Sequence, residues 1–281
     1  MAAVIRNRFG ISPEPVSCGF AAAVAGPDQV AILLPEKAVD DGNDVREFGL
    51  GAVLLWARAE PRPIVVVAPE NRAGELARQA ESFDQLSVWV LQQTTLVNAQ
   101  PTPLPPVPDL SPLAWDRREE FESVGALAVD DFGRLIAEVE GLEIARVDNE
   151  GSLQIGVGTA DRELHGYVHT HVDPVESLSK AADMVRSVRR QGASSHPLNR
   201  RARQRWLRAH VCANPDLVGS DGLEMVPPLE ERVLQLGPEP AAALDPETMT
   251  LFVFSAGVNP EVVPTATDYR RRYEPSRTVI V

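Results

Sequence analysis

The chain has 281 residues, 44% of them hydrophobic, with 27 basic against 40 acidic side chains and a formal net charge of −13. That length and apolar content suit one large or two ordinary domains with a full core, so a globular protein is expected. The excess of acid repels nucleic acid at long range, so a polyanion would have to be held by a local cationic surface.

The opening MAAVIRNRFG has no apolar stretch behind a basic start, and no window approaches about eighteen uninterrupted apolar residues, so a cytoplasmic protein without a membrane span is expected. Residues 20–34, FAAAVAGPDQVAILL, read as a hairpin: two short strands around a Gly-Pro-Asp turn. Asp44 stands three residues before Glu47. This reciprocal cap predicts a buried apolar helix through FGLGAVLLWARAE, stopped by Pro61 and Pro63. PIVVVAP (63–69) has the continuous apolar pattern of a strand covered on both faces. Asn71 is expected to cap a helix reaching about Phe83, and LSVWVLQ (86–92) is the next strand. Strands alternating with helices imply a parallel sheet with right-handed crossovers.

From Asn98 to Pro112, both included, stand six prolines, a stretch that can neither feed a ladder nor continue a helix and so reads as a semi-rigid connector. The expected divisions are an N-terminal α/β unit (1–99), the proline-rich linker (100–114), a helix-rich α+β middle domain (115–225) and a C-terminal unit (226–281). In the middle region DRREEFESV and VDDFGRLIAEVEG look helical, LEIARVD (142–148) and SLQIGVG (152–158) look like strands joined at Asn149-Glu150-Gly151, and 161–169 and 175–190 look helical. Asn199 is expected to cap RRARQRWLRAHV, with Ala202, Trp206 and Ala209 on one face and Arg201, Arg205 and Arg208 on another. The last segment repeats the first. Each has a hairpin, a helix, a Glu-Pro pair and an apolar strand (IVVV, then TVIV, expected buried), which suggests a duplicated unit around an inserted domain. The fold class expected is α/β, two related hairpin-helix-strand units forming a parallel or mixed sheet, with an inserted α+β middle domain.

HPLNRRARQRWLR (196–208) and FSAGVNPEVVPTATDYR (254–270), with GLEIARV and LQIGVGTADRE, resemble an uncharacterised family of cytoplasmic proteins from high-GC bacteria. The resemblance runs from about Gly141 to Arg270 and implies no activity. Similar chains carry Asp-Leu-Asp where this one has Asn259-Pro260-Glu261.

The most concentrated chemistry is cationic. Eight arginines lie between Val185 and Cys212, with no acid from Met184 to Pro215. Such a surface reads as a solvated face paired with the chain's own acids (Glu224, Glu230, Glu231), as a docking site for an acidic protein, or as a docking site for phosphates. For phosphates, Arg200, Arg201, Arg205 and Arg208 would supply planar donors and Trp206 would stack on a base. His165, His169 and Asp173 have metal-ligand spacing if the first two sit one helical turn apart, although the set lacks the glutamate of a metalloprotease helix; no other cofactor is implied. Gly156-Val157-Gly158-Thr159 reads as a tight strand-to-helix turn in preference to a phosphate cradle, and Gly49-Leu50-Gly51 as a packing contact. A nuclease centre would need Glu143 and Asp148 joined by an acid and a lysine, where Gln154 and Gly156 stand instead. Ser255 lacks the preceding glycine of a nucleophile elbow, and no histidine follows His210. Cys18 and Cys212 match no disulfide or zinc spacing and read as buried thiols. The functional expectation is a non-catalytic protein whose face at 186–208 binds nucleic acid or another anionic partner. A degenerate or active nuclease, a metal-dependent hydrolase and a scaffolding homo-oligomer are the alternatives.

Overall fold

In the computed structural model, which describes residues 2–9, 14–36, 48–148, 150–157, 173–190, 192–231 and 239–281, the chain divides into two units. One comprises residues 1–104 with 258–271, the other 105–257 with 272–281. The first unit begins with α1 (Ala2–Phe9), β1 (Glu14–Val16), β2 (Ala22–Ala25) and β3 (Val30–Leu33). It continues with α2 (Leu50–Ala57), β4 (Ile64–Ala68), α3 (Glu70–Ala80), β5 (Leu86–Gln92) and β6 (Thr95–Asn98). The six strands lie in sequence order in one mixed sheet. β3, β4 and β5 run parallel, and the other neighbours are antiparallel.

β4 explains why the sheet needs cover on both sides. Its alternating side chains serve two cores: Ile64, Val66 and Ala68 meet Leu50, Val53 and Leu76 from α2 and α3, while Val65 and Val67 meet Ile5 of α1 and Leu96 of β6. The expected hairpin is β2–β3, with Ala25 opposite Val30 and the Gly26 amide donating to the Gln29 carbonyl at 2.8 Å. Asn71 caps nothing. α3 starts at Glu70 behind Pro69, whose fixed φ suits the entry to a helix, and Asn71 lies inside the helix.

α2 also begins differently from its expected cap; Asp44 and Glu47 lie outside the described residues. A carboxylate more than 200 residues away closes this end. Glu261 accepts from the amides of Gly49 (3.1 Å), Gly51 (3.1 Å) and Ala52 (3.2 Å), supplying the anion that a helix N-terminus favours. The approach is tight enough that a Cβ on Gly51 would sit 2.1 Å from the Pro260 carbonyl oxygen. Only the first turn of α2 is fully buried, and Leu55 remains 57% exposed, so the helix is not covered all round. The helix Val262–Tyr273 adds a second anchor in the same unit. Asp268, fully buried, accepts from Arg78 Nε (2.8 Å), Arg78 Nη2 (3.1 Å) and Gln79 Nε2 (2.9 Å).

The second unit holds two four-stranded sheets. The helices α4 (Pro112–Trp115) and α5 (Arg118–Ser123) lead to an antiparallel meander of β7 (Leu127–Asp130), β8 (Leu135–Val139), β9 (Leu142–Val147) and β10 (Leu153–Ile155). VDDFGRLIAEVEG is therefore a hairpin and not a helix. Its turn is two residues long, with Phe132 and Gly133 both left-handed (φ 58° and 77°), and the Asp130 carboxylate accepts the Gly133 amide at 2.7 Å. α6 (Pro174–Arg189) lays Leu178, Ala182 and Val185 on the core of this sheet, at helical spacing.

After α7 (Arg203–Ala213) come β11 (Glu224–Val226), β12 (Ala241–Asp245), β13 (Thr250–Phe254), the helix Val262–Tyr273 (α8) and β14 (Arg277–Ile280). Their sheet has the order β11-β12-β13-β14, antiparallel except for the last pair. β1-β2-β3-β4 has the same order and directions, so the sequence repeat corresponds to a repeated topology. The crossover α8 differs in that its residues through Arg271 belong to the first unit. β14 is an edge strand with Arg277 and Ile280 exposed, not the buried strand expected of TVIV. Among the described residues no helix is long and apolar enough to cross a membrane.

Removing one partner of a buried ion pair strands the other charge, so Asp268→Ala is expected to cost about 3–5 kcal/mol. Urea unfolding of the full chain measures it, and adding Arg78→Ala should cost less than the sum of the two single changes.

Candidate functional site

The arginine-rich region is built from the C-terminal end of α6, a 3-10 turn at Pro197–Arg200 and α7. His196 opens the turn, its Nδ1 accepting the Leu198 amide at 3.3 Å. Asn199 lies within this turn and does not cap α7, whose N-cap is Ala202, left-handed at φ 44° and buried. Arg189 ties the turn to α6: its guanidinium donates to the carbonyls of Leu198, Arg201 and Glu140. Burial, reinforced by the like charge of Arg205, lowers its pKa to about 10, so it remains charged at neutral pH.

Two arginines expected on the open face are inside the protein. Arg205 is 2% exposed and Arg208 1%, and both point at Glu138, itself fully buried on β8. Arg208 Nη2 lies 2.9 Å from Glu138 Oε2, and Arg205 Nη1 lies 3.8 Å from the same oxygen. A carboxylate on a strand sealed by apolar neighbours must find cations, and α7 turns to supply them. Glu143, opposite Glu138 on β9, is likewise buried and held by Arg146 at 2.7 Å. The network is not fully satisfied: among the described residues Glu138 Oε1 and Arg208 Nε have no hydrogen-bond partner.

This rotation sends Trp206 outward. Trp206, the side chain expected to stack on a base, is 37% exposed, its Nε1 donating to Glu140 Oε2 at 3.1 Å and its ring stacked on His210 at 5.5 Å. Gly141, left-handed at φ 76°, lets the β8–β9 turn reach this helix; a Cβ there would lie 2.2 Å from the Trp206 nitrogen. Arg190, Arg200, Arg201 and Arg203 are exposed and form no ion pair among the described residues. Arg200, Arg201 and Arg203 flank the start of α7, which has no side-chain cap and no acid in its first turn, and Arg190 follows the last residue of α6. Arg186 is spent differently, donating to the carbonyls of Val124 and Gly125 at 2.8 and 2.9 Å. The stretch thus divides into arginines that hold the fold and arginines left to solvent. Of the residues expected at the phosphate site, Arg200, Arg201 and Trp206 are on the surface, joined by Arg203, while Arg205 and Arg208 are buried.

The signal for this division lay in the strands. RLIAEVEGLEIARV places Glu138 and Glu143 within two runs otherwise apolar enough for a core. Of the metal candidates, His165 and His169 lie outside the described residues, and Asp173 caps α6, accepting the amides of Val175 (2.8 Å) and Glu176 (3.1 Å). Among the described residues no group of three or more His, Cys, Asp or Glu is placed to hold a metal ion. Asp148, the other carboxylate considered for a nuclease centre, accepts the amides of Glu150 and Ser152 in its own turn. Gly156 donates its amide to Ile144, while Gly158 and Thr159 are outside the described residues. No protein-family model, curated protein or solved structure matches the chain.

Two outcomes follow from the burial. Arg208→Met should cost about 3–5 kcal/mol, because Glu138 loses its nearest cation, whereas Arg200→Ala should stay within about 0.5 kcal/mol; urea midpoints separate the two. Burial also pushes the Cys212 thiol up from 9.0 to about 11. The folded chain therefore keeps this proton where the unfolded chain loses it, a contribution fully present below pH 9.0 and lost as pH rises through about 11. In a Cys18→Ser chain, iodoacetamide should alkylate Cys212 slowly at pH 9 and faster toward pH 11, and urea should remove the protection.

Proposed function

We propose that the protein is a non-catalytic binding protein that engages phosphate groups, those of nucleic acid foremost, through Arg200, Arg201 and Arg203. One observation carries the reading: Arg200, Arg201 and Arg203, exposed and without ion-pair partners among the described residues, flank a helix start that has no side-chain cap. Such an end favours anions, and guanidinium forks match phosphate oxygens in pairs. Trp206 and His210 add a stacked aromatic pair, partly open to solvent, at the same helix, suited to the face of an unpaired base. The buried arginines serve the site indirectly, since Arg205 and Arg208 hold α7 on the sheet that carries Glu138.

The net charge of −13 sets a condition on this binding. Affinity must come from short-range contacts, so it should be modest and steeply dependent on salt. Fluorescence anisotropy with a labelled single-stranded oligonucleotide at two salt concentrations is the test. Three phosphate contacts give a slope of log K against log salt of about −2, and Arg200→Glu, Arg201→Glu and Arg203→Glu together should abolish the signal. Salt-independent binding, or undiminished binding by the triple variant, would refute the reading.

A further inference from the structure

The connector between residues 101 and 111 contains no helix or strand, yet its conformation is tightly limited. Pro103, Pro105, Pro106 and Pro108 have φ fixed by their rings, and Thr102, Leu104, Pro105 and Val107 each precede a proline, which drives them out of the helical region. Thr102, Leu104, Pro105 and Val107 are therefore confined to extended, polyproline-like backbone, and the prolines between them, with φ near the polyproline value, lie in no helix, strand or turn. A polyproline II helix has three residues per turn, so residues three apart share one ridge.

The exposure follows that period. Leu104, Val107 and Leu110 are half-buried, whereas Pro103 and Pro106 on the second ridge and Pro105 and Pro108 on the third are exposed. The inward ridge is anchored at Leu110, which packs on the core beneath the β7–β10 sheet. Arg272 Nη2 donates to the Pro105 carbonyl, and the Pro108 carbonyl runs close to Gly133 in the β7–β8 turn. Two proline ridges thus face outward on a strip already held in shape, which removes much of the ordering cost of binding.

We propose that Pro103–Pro108 is a docking ligand for a protein with an aromatic-lined groove that reads polyproline II helix. Such grooves accept two adjacent ridges of prolines spaced three apart, and both outward ridges have that spacing: Pro103 with Pro106, and Pro105 with Pro108. No charged residue lies between Ala99 and Pro108, so recognition is by shape, with Asp109 offering a carboxylate to a basic residue at the rim of the groove. The arginine surface takes no part.

The test titrates the full chain with isolated recombinant SH3, WW and EVH1 domains as probes, followed by calorimetry. At least one should bind saturably, and Pro106→Ala with Pro108→Ala should weaken it at least about tenfold, a loss of about 1.4 kcal/mol. The altered side chains are exposed, so the urea midpoint should be unchanged. Pro103→Ala with Pro106→Ala, confined to one ridge, is a second variant in case the first misfolds. Failure of all three probes to bind, or equal binding by correctly folded variants, overturns the proposal.

Discussion

A carboxylate shut away from water has to be met by positive charge, and Glu138 imposes that demand on the second unit. It sits on β8 among side chains that exclude solvent, and the cations that answer it come from a helix some seventy residues later in the chain. That requirement fixes the rotation of α7. Arg205 and Arg208 turn inward, so Trp206 and His210 turn outward, and the exposed arginines collect at the start of the helix. The candidate surface is the by-product of a buried electrostatic contact. Pairs of this kind add little net stability over well-packed apolar side chains, but they punish misplacement severely, which suits them to fixing the orientation of a helix.

The first unit relies on the same physics in a different form. Asp268 takes Arg78 and Gln79 out of solvent together, and Glu261 gives the first amides of α2 an acceptor, the Gly49 N-cap having no side chain to supply one. Both acids come from the segment 258–271, far along the chain from the helices they secure. In both units, then, apolar alternation builds the sheets, and isolated buried acids decide how helices are set upon them.

Much of the architecture was legible locally. The hairpin at 22–33, the doubly covered strand at 64–68, the antiparallel pair at 142–155 and the final hairpin, helix and strand follow from periodicity and turn chemistry. The error at 127–139 has a plain cause: an acidic start followed by apolar residues matches a capped helix as well as a hairpin. What chose the hairpin was a turn of two left-handed residues closed by Asp130. Caps were misassigned at Asn71 and Asn199 for a related reason. A suitable side chain near a helix start is common, while the backbone geometry that makes it a cap is set by neighbours such as Pro69 and the left-handed Ala202.

The sequence by itself determined most of the secondary elements, the doubled strand order of the two end segments, the run of prolines from 101 to 112 and the gathering of arginine between residues 186 and 208. These depend on contacts a few residues long, which a local pattern can encode. Tertiary structure alone decided which arginines face water. A helix of alternating arginines and small or apolar residues offers two faces of similar burial energy, and only a buried Glu138 from another element can select between them.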